Sequence, residues 1–310
     1  MADQDAVLAG RRIGVVGKGG SGKSTLCVLL ARALVQHGYE TCLIDADSTN
    51  VGLHQALGLE HQPTSLIDYY GGMVFSGGAV TCPVDDPTPL PDAEKSLDQL
   101  SGGQVARSQE GIVLIAAGKI GDMGPGAGCD GPISKIARDF RIKSDHIPGV
   151  TLVDFKAGFE DSARGVITSL DWVIVVVDPS TAAIQMAVHM KRMVEMLQAG
   201  RPPATEHLAS PDLVELARSL FRESRVKGVL VALNRVTDEA VERYLRQKLS
   251  EQGLEPVAVI QEDSGLQTAW LKGDRLPTGH ADRAAAEIVL AVEAEEVKRR
   301  SPSIIIQPGP

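Results

Sequence analysis

VGKGGSGKST, Val16 to Thr25, decides the fold of this 310-residue chain. Gly17 to Ser24 satisfies the pattern G-x-x-x-x-G-K-[ST]. It follows the β-branched run Ile13 to Val16 and precedes Leu26, Leu29, Leu30, Ala33 and Leu34 at helical spacing, with Gly38 placed to end the helix. Strand, glycine-rich loop and helix in that order build a cradle for phosphate. Gly17, Gly19, Gly20 and Gly22, with Ser21 among them, let backbone N–H groups turn inward, and the helix N-terminus beginning near Thr25 adds positive potential. Lys23 reaches the outer phosphates and the Ser24 hydroxyl can ligate Mg²⁺. Lys18 is left over. A second cation five residues from Lys23 repels it unless more negative charge is supplied. One arrangement that resolves the conflict points Lys18 away from its own loop, toward the nucleotide of a second subunit.

Outward from the loop, short apolar runs recur with amphipathic segments between them: Thr41 to Ile44, Ile112 to Ala116, Thr151 to Val153, Val173 to Val177, Val229 to Leu233 and Val257 to Ile260. Apolar on both faces, they read with Ile13 to Val16 as about seven buried strands of a doubly wound, mostly parallel α/β sheet in a single domain spanning 1–300. Ser210 followed by Pro211 predicts a helix start. Two turn-rich stretches, 71–110 and 199–212, read as excursions from that domain, and 301–310 as a flexible tail.

The composition, 43% hydrophobic and 23% charged, is that of a globular chain, and the net charge of −9 argues against a nucleic-acid or anionic-membrane partner. The most continuous apolar run, Trp172 to Val177, is far too short to cross a bilayer, and the N-terminus has no secretory pattern, so a cytoplasmic protein is expected. Cys27, Cys42, Cys82 and Cys129 then read as buried thiols or metal ligands, not as a disulfide framework.

GKGGSGKST resembles the deviant Walker A loop, K-G-G-x-G-K-[ST], of the ATPases that include the chromosome-partitioning and septum-positioning proteins, the nitrogenase iron protein and the CooC-type metal-insertion proteins. The resemblance implies MgATP as ligand and an ATP-dependent homodimer in which Lys18 acts across the interface. In LIDADSTN it implies that Asp47 orients the attacking water, while Asp45 supports either Mg²⁺ or the loop. TLVDFKAG has the form of a strand ending in a Walker B aspartate, Asp154, which holds Mg²⁺ through water; Gly158 matches the glycine whose N–H senses the γ-phosphate. In VLVALNRV it implies that Asn234 reads the adenine edge, a turn-forming asparagine being the other reading. Gln261 and Glu262 would lie near the base.

DADSTNVGLHQALGLE, SLIDYYGG and VDFKAGFEDSARG resemble the CooC-like branch, whose members help insert nickel into a metalloenzyme. That branch carries a Cys-x-Cys pair before proline where this chain has Cys129, Asp130, Gly131 and Pro132. Two pairs in a symmetric dimer give four thiolates for Zn²⁺ or Ni²⁺, whereas Cys129 alone gives two, so Cys129 stands either as a dimer-interface ligand or as a plain loop thiol. An iron-protein cluster is disfavoured because 154–165 contains no cysteine. The expected partners are a second copy and a metalloenzyme client. The alternative is a partitioning or positioning switch recruiting a protein or DNA partner without metal; the basic residues Arg11, Arg12, Lys191, Arg192, Lys298, Arg299 and Arg300 are its candidates for a DNA face. A small-molecule kinase is disfavoured by Lys18.

Overall fold

The structure, a computed structural model, describes residues 6–100, 103–120, 129–143 and 149–300. Its strands are β1 (Arg12–Gly17), β2 (Glu40–Ala46), β3 (Glu94–Ser96), β4 (Ala106–Arg107), β5 (Val113–Ala116), β6 (Arg141–Lys143), β7 (Gly149–Phe155), β8 (Trp172–Val177), β9 (Gly228–Val236) and β10 (Pro256–Gln261). The α-helices are α1 (Lys23–Gln36), α2 (Leu53–Ala56), α3 (Leu66–Tyr69), α4 (Gly131–Asp139), α5 (Glu160–Ala163), α6 (Thr181–Gln198), α7 (Pro211–Arg222), α8 (Glu239–Ser250), α9 (Ser264–Lys272) and α10 (His280–Arg300).

One eight-stranded sheet runs β10-β9-β8-β1-β7-β2-β5-β4. The seven strands read from the sequence are parallel, and the two-residue β4 closes the edge antiparallel to β5. Alternate side chains feed two cores. Val15, Leu43, Leu152, Ile174 and Ala232 pack beneath α1 and α10. Val16, Ile44, Val153, Val175 and Leu233 pack on the other face, with residues of α4 and α6. Burying both faces is what makes each strand a continuous apolar run.

The chain leaves β1 for β2, skipping the place that β7 later fills, while β8 lies on the other side of β1. The strand order therefore reverses at β1, and in open α/β sheets ligands bind outside the carboxyl ends of the strands at such a point. Asp45 and Asp154 are register partners on adjacent β2 and β7. Asp45 lies within β2, which runs past the apolar stretch Thr41 to Ile44, and Asp47 lies just past its end.

The excursion 71–110 is better ordered than its turn content suggests. Met73, Val80, Leu90 and Leu100 join the core, and β3 pairs in parallel with β6 in a separate ribbon. Stretch 199–212 is a loop ending at Ser210, whose side chain accepts from the N–H of Leu213 to cap α7. Arg12 is no part of a basic surface. It is buried, and its guanidinium donates to the carbonyls of Ala137 and Phe140 at the end of α4. The tail 301–310 lies outside the described residues.

Candidate functional site

The loop after β1 is held open by backbone geometry that only glycine supplies cheaply. Gly22 has φ 96°, and a Cβ there would stand 2.1 Å from Nδ2 of Asn234. That amide donates to the carbonyl of Ser21 at 2.7 Å. Asn234 is thus buried within β9, against the phosphate loop, and is not a turn residue. No side chain caps the N-terminus of α1, so its first N–H groups stand ready for an anion. Lys23, the first residue of α1, is buried there.

Beside the loop lies a polar cluster built on β2 and β7. The Ser24 hydroxyl donates to Oδ2 of Asp154 at 2.5 Å and accepts from Nδ2 of Asn50 at 2.8 Å. Asp154 is fully buried, and its Oδ1 has no hydrogen-bond partner among the described residues. Burial first, and then the charge of Asp45, push its carboxyl up to about 7. A hydroxyl, a carboxylate and an orphan oxygen under an uncapped helix N-terminus fit Mg²⁺, which takes oxygen ligands and keeps several waters.

Asp45 does not present a free carboxylate to that ion. Both its oxygens accept from Nζ of Lys119, at 2.8 and 2.7 Å, and the same ammonium reaches the Asp47 carbonyl at 2.5 Å. Burial still raises the Asp45 carboxyl to about 6 despite Lys119. Lys119, past the end of β5, thereby ties Asp45 to the backbone of the loop after β2. Asp47 folds its own loop: Oδ1 accepts from the N–H groups of Thr49 and Asn50 and from the Thr49 hydroxyl.

The sequence pattern of the CobQ/CobB/MinD/ParA nucleotide-binding domain matches residues 15–276. The chain belongs to this family. It is 33% identical over 189 residues to the uncharacterized ATP-binding protein MJ0084 of Methanocaldococcus jannaschii, covering 60% of this chain and 74% of that one. It is 26% identical over 195 residues to the carbon monoxide dehydrogenase accessory protein CooC of Rhodospirillum rubrum, covering 58% and 67%. Among solved structures, the septum site-determining protein MinD of Pyrococcus horikoshii, in complex with Mg-ADP, superposes with a TM-score of 0.57 at 17% identity, covering 91% of this chain and 95% of that one. The fold is that of the MinD/ParA family.

Against this MinD/ParA frame the remaining site residues fall into two groups. Lys18 points out of its own loop, 41% exposed, to Oδ2 of Asp178 at 3.1 Å past the end of β8. The Gly158 N–H, in a backbone with φ 98°, donates to the carbonyl of Gly17 at 3.1 Å, so the segment after β7 touches the phosphate loop directly. A Cβ at Gly19 would meet Ala157 at 3.6 Å. These residues converge on one cradle. Thr25 faces elsewhere, its hydroxyl accepting from the Trp270 indole at 2.8 Å and tying α1 to α9. Gln261 and Glu262 are exposed where β10 ends. Cys129 is exposed just before α4.

Asn50, Lys119, Asp178 and Trp270 were missed by the sequence reading. Asp130, beside Cys129 and from the sequence a residue that could complete a dimer-interface metal site, is engaged by three other side chains. It accepts from Ser48 at 2.8 Å, Lys156 at 2.9 Å and Arg164 at 2.7 Å, joining the segments after β2 and β7 to the start of α4. Although burial opposes ionisation, those donors hold its carboxyl at about 2. Only Ser48, beside Asp47 in an Asp-x-Asp-Ser run, hinted at such a link. No helix among the described residues is long and apolar enough to cross a membrane.

Proposed function

We propose that this chain is a MgATP-dependent switch that dimerises around its nucleotides and hydrolyses ATP to ADP and phosphate slowly, under control of a partner. The observation that carries it is the Ser24–Asp154 pair, with the orphan Oδ1 of Asp154 beside an uncapped helix N-terminus. Lys23 and the loop N–H groups hold the phosphates. Ser24 and Asp154 hold Mg²⁺, which when bound neutralises phosphate charge. Asp47 turns from its loop contacts toward the attacking water, and the Gly158 N–H exchanges the Gly17 carbonyl for the γ-phosphate. Asn234 keeps the loop closed with one end of its amide and offers the base the other, near Gln261 and Glu262.

Lys18 already points away from its own phosphates. Leaving Asp178, it reaches the nucleotide of a second copy. Similarity to the carbon monoxide dehydrogenase accessory protein CooC supports a metalloenzyme client. Membership of the MinD/ParA family equally supports a second reading, a positioning or partitioning switch with a protein or DNA partner and no metal cargo.

The test is light scattering with and without MgATP, on the wild type and on Lys18→Ala, with nucleotide binding followed separately by fluorescence. The wild type is expected to dimerise with MgATP, and the variant to bind nucleotide as a monomer. A variant that still dimerises would remove the trans role of Lys18.

A further inference from the structure

Gly131 opens α4, yet its φ is not left-handed, so the backbone does not require glycine there. Space does. A Cβ built on residue 131 would stand 2.4 Å from Sγ and 2.9 Å from Cβ of Cys82, and 3.3 Å from Sγ of Cys129. Two sulfurs, 47 positions apart in the chain, therefore come within 3.3 Å of one point. Cys82 Sγ lies close to where a side chain at 131 would have gone. Both thiols are free, Cys82 half-buried and Cys129 exposed.

The Cys82 sulfur is held in place. It accepts the backbone N–H groups of Val84 and Asp85, and the turn is closed by Asp86 N–H donating to the Cys82 carbonyl and by Thr81 donating to Asp86 at 2.9 Å. Lys135 of α4 binds both Thr81 and Asp86, clamping this segment of the excursion onto the helix that Cys129 precedes. Backbone donors on a sulfur, and a neighbouring position cleared of its side chain, are features of a ligand set fixed before its ion arrives.

We propose that Cys82 and Cys129 form a two-thiolate ligand pair for a soft metal ion of the Zn²⁺ class, Cys82 supplying the sulfur that position 131 lacks. Among the described residues no cluster of three or more His, Cys, Asp or Glu side chains stands ready to hold a metal, so one protomer offers half a tetrahedral shell. Two protomers offer four thiolates. The completed shell rests on the dimer proposed above; the pairing of the two cysteines does not. Binding releases the proton of each thiol as its thiolate becomes a ligand.

The full-length protein, purified anaerobically under reductant, is titrated with Zn²⁺ against a chromophoric chelator, with and without MgATP, and oligomeric state is recorded on the same samples. The wild type with MgATP is expected to retain one Zn²⁺ per two chains. Cys82→Ser and Cys129→Ser should each lose that retention while still dimerising, and Gly131→Ala should weaken it by driving Cys82 aside. Cys82→Ser holding zinc as tightly as wild type would overturn the proposal, as would a folded wild-type dimer that yields all its zinc to the chelator. Zinc retained by monomers, and lost from both serine variants, would uphold the thiol pair while refuting the dimer reading.

Discussion

Asp154 shows in one side chain how the phosphate cradle is shaped for a cation. Its carboxyl is fully buried, with Ser24 on one oxygen and no hydrogen-bond partner on the other among the described residues, and sits near 7 when the ordinary aspartate value is about 3.9. Between those values the folded state keeps a proton that the unfolded chain has released, so this group makes the apo protein less stable as pH rises from 4 through 7. Urea unfolding at pH 5 and pH 7.5 should show that loss in the wild type, and Asp154→Asn should reduce it; an unchanged pH dependence would mean the carboxyl is already ionised when folded. MgATP should stabilise the wild type more at pH 7.5 than at pH 5, because the ion competes with the same proton. Lys18, Lys23, Ser24 and Asp154 were legible because each sits at a fixed offset in a local strand-loop pattern. Asn50 and Lys119 were not, since Asn50 meets Ser24 across 26 positions and Lys119 meets Asp45 across 74. The partner of Asp45 was hidden for the same reason: the lysine that engages it lies beyond any local window.

The seven parallel strands were readable because burial on both faces leaves each an uninterrupted apolar run, and α1 and α7 because spacing and a capping serine mark them. A two-residue β4 and the three-residue β3 and β6 carry too few alternations to signal a strand. Helix α10 is the instructive omission. It buries Ala281, Ala284, Ala285, Ile288, Val289 and Val292 at helical spacing, but the stripe ends on Glu296, a carboxylate that a hydrophobic pattern passes over. Glu296 receives the Trp172 indole at 3.0 Å, Lys227 at 2.7 Å and Arg11 at 2.8 Å, fixing the helix to β8 and the start of β1. Burial opposes its charge, yet those donors bring the carboxyl down to about 2. A depressed carboxyl stabilises the fold above its ordinary value, about 4.3, and that contribution is lost as pH falls toward 2. Glu296→Gln should therefore cost about 2 kcal/mol at pH 7, with the gap to wild type narrowing at pH 3. Equal stability of the two proteins in urea at pH 7 would show that α10 is held by its apolar stripe alone.

Across the whole molecule, the phosphate cradle and the two cysteines are separate sites joined through Asp130. On one side Ser48 follows the Asp47 that folds the loop after β2; on the other Lys156 and Arg164 flank the segment whose Gly158 touches the phosphate loop. Any nucleotide that draws Asp47 or Gly158 toward a γ-phosphate pulls on partners of one buried carboxylate, and that carboxylate precedes α4 and follows Cys129. Such a connection transmits only if both ends bias a shared arrangement. Asp130→Asn keeps the shape but weakens the pull of both cations, and it touches none of the residues that hold phosphate. Hydrogen exchange of α4 with and without MgATP separates the cases. In the wild type, protection along Gly131–Asp139 should change when MgATP binds. In Asp130→Asn, nucleotide should still bind, and the change in α4 should shrink or vanish. If α4 responds to MgATP equally in both proteins, the signal travels along β7 and α5 instead, and Asp130 is a structural tie rather than the link between the sites.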